Sequence, residues 1–277
     1  MQESSRTPDL SQIDLDGRYK LAQDLALQAA REGMHHYRER SQLTVEHKGE
    51  DLQDVVSFVD RRLEELIRKA LQQDFPEDGF VGEESGSARL DARCVWVVDP
   101  IDGTACFVNG LHAWCVSIGM LVDGVPCLGV IADPNHDELF HACTGRGAFV
   151  NQTPLSVSQA TNVNDGLTGV GTFHPQGKEH FLPFLQKLLD HGGMFTRNGS
   201  GALTTAYVAA GRLIGYYETH LKSWDCLAGL VLVAEAGGRR NNFLRGDGLL
   251  HGNPFLVAAP GVYDDLAEMI GPSLDQD

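Results

Sequence analysis

The sequence is poor in basic side chains. It has 22 lysines and arginines against 38 aspartates and glutamates, which gives a formal net charge of −16. Proteins that bind nucleic acid or an anionic membrane surface usually present a basic face, because contacts to phosphate groups supply much of their affinity. The chain is therefore a poor candidate for either class, and we expect no nucleic-acid partner and no membrane partner.

Long apolar runs and paired cysteine motifs are also absent. No stretch approaches the ~18 consecutive apolar residues of a membrane span, and the first 17 residues lack the apolar core of a secretory signal. The six cysteines form no Cys-x-x-Cys pair, and most lie in apolar runs such as 94–98. An even count leaves disulfides formally open, but the pattern predicts buried, reduced thiols in a cytoplasmic protein.

What the chain does have is an apolar fraction of 42% and 31 glycines. Together they indicate a substantial core with many tight turns or close backbone approaches. Apolar periodicity predicts one helix from about 18 to 40 and a second from about 55 to 73. A buried strand at 94–98 and an antiparallel meander over 114–150 follow, with Asp123-Gly124 as a hairpin turn.

The second half of the chain alternates between strand-like and helical segments. Ser200 and Ser223 are the expected N-caps of two of its helices. The polar stretch near 151–165 is the candidate boundary between the halves. We therefore predict a mixed α+β and α/β chain with a loose tail over 1–17, an N-terminal half over 18–155 and a C-terminal α/β half over 156–277.

The segment 96–104, Trp-Val-Val-Asp-Pro-Ile-Asp-Gly-Thr, places two carboxylates after an apolar strand. Asp99 ends the strand, Pro100 stiffens the exit, and Asp102 lies three residues on. Carboxylates held this close repel each other unless a cation lies between them. Oxygen ligands of this kind suit Mg²⁺, so the segment predicts a metal site more strongly than an ordinary Asp-Pro turn.

Three further acidic positions have both a chemical and a plain structural interpretation. Glu83, in Gly-Glu-Glu-Ser at 82–85, would be ordinary in a solvated loop, and Asp225 would be ordinary in the first turn of a helix. Asp60 shares the apolar stripe of its helix with Leu63 and Ile67, so it is either buried with a partner or placed at the edge of the stripe. The residues taken singly leave these alternatives open.

Taken together, these sequence segments resemble those of the inositol monophosphatase family. The order and spacing of 82–85, 96–104, Trp-Asp at 224–225 and Ala-Glu-Ala-Gly-Gly at 234–238 carry the resemblance, which extends from about residue 18 to the C-terminus. The Asp-Pro-Ile-Asp-Gly-Thr string is its most specific part. The resemblance implies a layered α-β-α-β-α sandwich, a homodimer, two to three Mg²⁺ ions and inhibition by lithium.

The resemblance also implies roles for individual residues. The implied metal ligands are Glu83, Asp99, the carbonyl of Ile101, Asp102 and Asp225. Thr104 would help to orient the attacking water, with Asp60 as its hydrogen-bonding partner and Glu83 as a further catalytic group. The N–H groups of Gly103 and Thr104 would bind phosphate, and Glu218 would bind substrate hydroxyl groups.

Two departures from the family concern the substrate and leave the metal ligands intact. The family often continues Asp-Gly-Thr with Thr-Asn, whereas this chain has Ala105-Cys106, which puts the contacts that steer the substrate ring in doubt. The segment 171–176 lacks a serine-rich character, so Phe173 and His174 are candidates for a different alcohol pocket. Lys222 is a candidate contact for an anionic substrate, although a solvated side chain is the plain interpretation of both His174 and Lys222.

These observations predict a phosphoric monoester hydrolase in which a metal-activated water attacks phosphorus without a phospho-enzyme. The chain also has no Cys-x5-Arg signature. Myo-inositol monophosphate is the first substrate hypothesis, and histidinol phosphate, fructose bisphosphate and 3′-phosphoadenosine phosphates are alternatives within the same chemistry. A regulatory interaction protein on this fold is the hypothesis of a different class; it predicts a broken metal site, yet every ligand type is present.

Overall fold

A computed structural model of the chain describes residues 8–40, 45–47, 55–172 and 177–274. Within these ranges there are eight α-helices: α1 (Leu15–Arg38), α2 (Phe58–Asp74), α3 (Thr104–Asn109), α4 (Lys178–Asp190), α5 (Gly201–Ala209), α6 (Ser223–Glu235), α7 (Gly248–His251) and α8 (Tyr263–Ile270). The strands are β1 (Val45–His47), β2 (Val55–Ser57), β3 (Gly79–Gly82), β4 (Gly86–Ala88), β5 (Cys94–Asp102), β6 (Cys115–Val122), β7 (Val125–Asp133), β8 (Glu138–Cys143), β9 (Ala148–Val150), β10 (Thr153–Pro154), β11 (Leu167–Gly171), β12 (Met194–Thr196), β13 (Gly215–Leu221), β14 (Arg239–Arg240) and β15 (Asn253–Ala258).

The first large sheet has eight strands in the order β10-β9-β8-β7-β6-β5-β3-β4. Strands β5 to β10 pair antiparallel in succession, which confirms the predicted meander, and β3 joins β5 in parallel. Helices α1 and α2 bury their apolar stripes against one face of this sheet. The other face receives α6, which lies so close to β6 and β7 that a Cβ at Gly119 or Gly129 would collide with its residues Leu227 or Ala228.

The second large sheet has five strands in the order β12-β11-β13-β15-β14. Its inner face shares a core with α5, α6 and the first sheet, and its outer face packs against α4 and α8. The layers therefore run α1/α2, sheet, α5/α6, sheet, α4/α8. This is the expected α-β-α-β-α sandwich, with the α5/α6 layer in the middle.

Several element boundaries differ from the sequence predictions. Helix α1 begins at Leu15, inside the predicted loose tail, because the Asp14 carboxylate accepts a hydrogen bond from the N–H of Gly17 at 2.8 Å and caps it. The predicted start of the second helix at Val55 was wrong, since 55–57 form β2 and α2 begins at Phe58. The N-cap of α6 is Lys222 and not Ser223, whereas Ser200 does cap α5.

Residues 1–7 of the predicted tail lie outside the described residues. The division of the chain at 155/156 stays an interpretation. The strands of the first sheet end at Pro154 and those of the second begin at Leu167. All six cysteines are free and buried, as predicted. Among the described residues, no helix is both long enough and apolar enough to cross a bilayer.

Candidate active site

Strand β5 carries Asp99 and Asp102 to the centre of the molecule. All nine of its residues are buried, and its pairing with β6 slips in register between Asp99 and Asp102. Pro100 lies in the slip, where a residue without an N–H costs no ladder hydrogen bond. The Asp99 carboxylate accepts from the N–H of Ile101 at 2.9 Å, which fixes the turn between the two acids.

A third acid reaches this point from the middle helical layer. Asp225 lies in the first turn of α6, and its carboxylate accepts from the Lys222 N–H at 3.0 Å. One carboxylate oxygen from each of Asp99, Asp102 and Asp225 lies within 4.8 Å of the others. The structure thus brings together three of the five predicted metal ligands from two distant parts of the chain.

The electrostatics of this cluster favour a cation. Burial raises the pKa of Asp99 well above its usual value, and the charges of Glu83 and Asp102 raise it further. Burial, followed by the charges of Asp102 and Glu83, does the same to the pKa of Asp225. A divalent cation would relieve the repulsion, and a compact set of carboxylate oxygens is the donor chemistry that Mg²⁺ prefers. The residues present therefore fit a magnesium site.

Asp102 is held by the start of α5. Its carboxylate accepts from the hydroxyl of Ser200 and from the N–H groups of Ala202 at 2.7 Å and Gly201 at 3.3 Å. Burial raises the pKa of Asp102, and these three hydrogen bonds oppose that rise. Sequence reasoning identified Ser200 only as a helix cap; its bond to Asp102 had no signal in the local pattern.

Glu83 lies in the turn between β3 and β4, next to the cluster. It is partly exposed, and its N–H donates to the carbonyl of Val98 on β5 at 3.3 Å. Its charge contributes to the raised pKa of both Asp99 and Asp225. The solvated-loop interpretation therefore fits this position less well than a place beside the cluster.

Asp60 and Thr104 form a pair at the edge of the cluster. Asp60 is fully buried on α2, so the surface-edge interpretation was wrong. The Thr104 hydroxyl lies 3.1 Å from the Asp60 carboxylate and 3.0 Å from the carbonyl of Ile101. Gly103, just before α3, has φ = 94°, and a Cβ there would lie 2.5 Å from the carbonyl oxygen of Ala113, so only glycine fits this turn.

Glu218 lines a cavity that two acids of the cluster, Asp102 and Asp225, also line. The cavity of about 170 Å³ is lined by residues that include Asp102, Asp225, Glu218 and Arg197. Glu218 accepts a hydrogen bond from the Tyr216 hydroxyl, and it pairs across the sheet with Gly171 on β11. Burial raises the pKa of Glu218 to about 7, against the opposing effects of the Tyr216 hydrogen bond and the Arg197 charge.

The other residues proposed as substrate contacts lie in different environments. Lys222 donates through its Nζ to the carbonyl of His251 at 3.0 Å, so it has a backbone partner. Cys106 donates to the carbonyl of Asn198 at 3.3 Å, which links the departure at 105–106 to the loop that lines the cavity. Phe173 and His174 lie outside the described residues. Arg197 and Asn198 at the cavity were missed, because nothing in their local sequence marks them.

Comparisons with known proteins agree with this geometry. The family model described as the inositol monophosphatase family matches residues 14–272. "Nus factor SuhB" of Pasteurella multocida is 35% identical over 229 residues, 81% of this chain and 85% of the relative. "Inositol-1-monophosphatase" of Mesorhizobium japonicum is 39% identical over 216 residues, 77% of this chain and 80% of the relative. The solved structure of the extragenic suppressor protein suhB from Bartonella henselae superposes with a TM-score of 0.86 at 32% identity, covering 92% of this chain and 99% of that one.

Proposed function

The chain belongs to the inositol monophosphatase family, and on that premise we propose that it is a Mg²⁺-dependent phosphomonoesterase acting on a small polyol phosphate, with myo-inositol monophosphate as the first candidate. The observation that carries the proposal is the buried cluster of Asp99, Asp102 and Asp225, whose carboxylate oxygens lie within 4.8 Å of one another. The cavity that contains Glu218 adjoins this cluster. This arrangement supports a cation site and an alcohol pocket that share one cavity.

The ligands proposed for two to three Mg²⁺ ions are Glu83, Asp99, the carbonyl of Ile101, Asp102 and Asp225. When bound, Mg²⁺ supplies neutralisation of the phosphate charge and a lowered pKa of water. The chain contributes the fixed positions of these oxygens. Asp102 in particular is oriented by α5, and Asp225 is oriented by the Lys222 N–H.

Thr104 and Asp60 are proposed to hold the attacking water in line with phosphorus. A threonine hydroxyl has one hydrogen to donate and lone pairs to accept with. When that hydrogen points to the Asp60 carboxylate, 3.1 Å away, the lone pairs are free to accept a hydrogen bond from water. Buried Asp60 thus fixes the direction in which Thr104 accepts. The N–H groups of Gly103 and Thr104, at the start of α3, are proposed to bind phosphate oxygens.

Glu218 is proposed to recognise the alcohol part of the substrate. In its ionised form, which predominates above about pH 7, the Glu218 carboxylate accepts hydrogen bonds from hydroxyl groups and would repel a second phosphate. This favours a polyol monophosphate over a bisphosphate. Histidinol phosphate and other phosphomonoesters of the same chemistry remain alternative substrates.

A panel of phosphomonoesters assayed with Mg²⁺ tests the substrate proposal. We expect release of phosphate from myo-inositol monophosphate with the highest kcat/KM of the panel. Histidinol phosphate hydrolysed much faster would overturn the substrate assignment while leaving the phosphatase assignment intact. Lithium is expected to inhibit, and sedimentation is expected to show a homodimer.

A second candidate function follows from the relatives named "Nus factor SuhB", which match this chain about as well as those named inositol-1-monophosphatase. In this alternative the chain acts as a regulatory interaction protein, with or without catalysis. The intact set of acids favours retained catalysis. If the purified protein hydrolysed no phosphomonoester with Mg²⁺ although it bound the ion, the regulatory role would be favoured. A cytoplasmic location and the absence of a nucleic-acid partner stay predictions.

A further inference from the structure

Glu64 on α2 is a buried carboxylate that the proposed mechanism does not use. Its side chain is 1% exposed. One oxygen accepts from the N–H of Glu84 at 2.8 Å, and the other accepts from the N–H of Ser85 at 2.7 Å. Both donors belong to the turn that follows β3, so a single side chain binds two consecutive backbone amides of that turn.

The turn held in this way is the one that carries Glu83. Gly82 and Gly86 pair across the β3–β4 hairpin, which leaves residues 83–85 as its tip. A Cβ at Gly82 would lie 2.5 Å from the Glu64 carboxylate, so the glycine lets the carboxylate sit directly against the hairpin. Glu83 itself is tied to β5 through its N–H bond to Val98. Its backbone is therefore fixed on one side by the sheet and on the other by α2.

Asp60 and Glu64 are one helical turn apart, at i and i+4, and therefore lie on one face of α2. Asp60 contacts Thr104 in the segment that follows β5, whereas Glu64 contacts the turn that follows β3. The same rigid helix thus holds both catalytic segments. We propose that Glu64 is a positioning residue, which sets the Glu83 turn at the distance from Asp99 and Asp102 that Mg²⁺ binding requires. This inference rests on the proposed function, since it assumes that Glu83 is a metal ligand.

The presence of two acceptor oxygens on Glu64 is essential to this role. Each of the two N–H groups faces a different oxygen of the side chain, and a carboxylate supplies an acceptor at both places. A glutamine of the same shape supplies one oxygen and turns an NH₂ donor toward the other N–H. The turn would then lose one of its two hydrogen bonds to α2 and shift, and Glu83 would move with it. A group that acts only by orienting a metal ligand typically changes metal affinity or activity by about 10–100-fold.

The test compares Glu64→Gln with Glu65→Gln. Glu65 is the next residue on the same helix, exposed and paired with Lys69, so it undergoes the same chemical change on the solvent side. Mg²⁺ binding is measured by calorimetry on substrate-free protein, and unfolding is measured with chelator present. We expect Glu64→Gln to weaken Mg²⁺ binding by about tenfold or more and Glu65→Gln to leave it unchanged.

The possible results separate this inference from the proposed function. A wild type that binds no Mg²⁺ overturns both. A wild type that binds Mg²⁺, with Glu64→Gln binding it equally well, overturns only the role of Glu64, even where that variant is less stable.

A measurement on the wild type covers the case in which Glu64→Gln does not fold. Metal binding and the two hydrogen bonds of Glu64 should stabilise each other, because coupling between two sites is reciprocal. Mg²⁺ is therefore expected to slow hydrogen exchange at the amides of Glu84 and Ser85 several-fold, and not at Gly124 in the distant β6–β7 turn. Unchanged exchange at Glu84 and Ser85 in protein shown to bind Mg²⁺ would overturn the inference.

Discussion

The side of the cavity with the acidic cluster (the metal end) and the side with Glu218 (the alcohol end) are built in different ways. At the metal end, Asp99 and Asp102 belong to a fully buried strand, and Asp102 is held by three hydrogen bonds from α5. At the alcohol end, Glu218 lies on the second sheet, where its neighbours in the cavity include the exposed side chain of Arg197. Under the proposed function, the groups that carry the chemistry are fixed by the core, whereas substrate choice would depend on a wall that includes an exposed side chain.

The largest expected effect comes from breaking the metal end. Asp99→Asn removes a charge from the cluster and should lower kcat/KM by more than ~100-fold, since even residues that only orient metal ligands cost 10–100-fold. Steady-state assays with saturating Mg²⁺ measure this. Asp91→Asn, at an exposed position, is the control and should stay active. Unchanged activity in Asp99→Asn would contradict the assignment of the metal site.

Next in size is Asp60→Asn, which acts at the metal end without removing a ligand. The asparagine can no longer act as an equally strong acceptor for Thr104, so the water would be less well oriented. We expect kcat to fall by roughly 10–100-fold, as for other groups that act by orienting a partner, with little change in the Mg²⁺ concentration that gives half-maximal rate. Comparable losses in rate and in metal affinity would count against this role for Asp60. Glu64→Gln should instead weaken Mg²⁺ affinity more than it lowers kcat.

At the alcohol end, Gly171→Ala should have a smaller and more selective effect. A Cβ at this position would collide with the Glu218 carboxylate and displace it. Loss of one or two hydrogen bonds to substrate, on the order of 1 kcal/mol each, should lower kcat/KM for inositol monophosphate by about five- to thirtyfold. Phenyl phosphate, which has no polyol hydroxyls, serves as the control substrate. Equal losses of kcat/KM with both substrates would show that Glu218 does not recognise the alcohol part of the substrate.

The last effect concerns stability and pH and not the rate of turnover. The folded pKa of Glu218 is about 7, above the usual value of 4.5, so the folded protein holds a proton that the unfolded chain releases. The resulting stabilisation is full below pH 4.5 and is lost as the pH rises through 7. It amounts to no more than about 3 kcal/mol.

Thermal unfolding in chelator tests this point with Glu218→Gln. The stability of the wild type relative to Glu218→Gln should fall between pH 5 and pH 8. Glu179→Gln, at an exposed position, is the matched control for the same chemical change at the surface. A difference between wild type and Glu218→Gln that does not change with pH would contradict the buried, proton-holding state of Glu218.

Local pattern predicted the metal end better than the alcohol end. Asp99 and Asp102 were identifiable because an apolar strand followed by Asp-Pro fixes both burial and direction within nine residues. Helical periodicity placed Asp60 on the apolar stripe of its helix but left burial and an edge position open, and the first turn of that helix was misplaced. By contrast, the bond from Ser200 to Asp102 joins residues almost a hundred positions apart, and no local pattern contains it.

The same reason explains what else was missed. The role of Glu64 could not be identified from the sequence because its partners are two backbone amides, which any residue would supply. The pairing of Gly171 with Glu218 depends on the register of two parallel strands. Ser223 was expected to cap α6, yet Asp225 takes the hydrogen bond from Lys222 and sets the helix start one residue earlier. Long-range packing and backbone partners decide such features.

The most direct test concerns the charge of the protein. A chain with a net charge of −16 should repel an anionic substrate, so the account requires Mg²⁺ for binding as well as for chemistry. Binding of inorganic phosphate, a product of the proposed reaction, is therefore measured by calorimetry with Mg²⁺ and with chelator. We predict clear binding with Mg²⁺ and none with chelator; equal affinity under both conditions would contradict the central claim that the buried acids act through a cation.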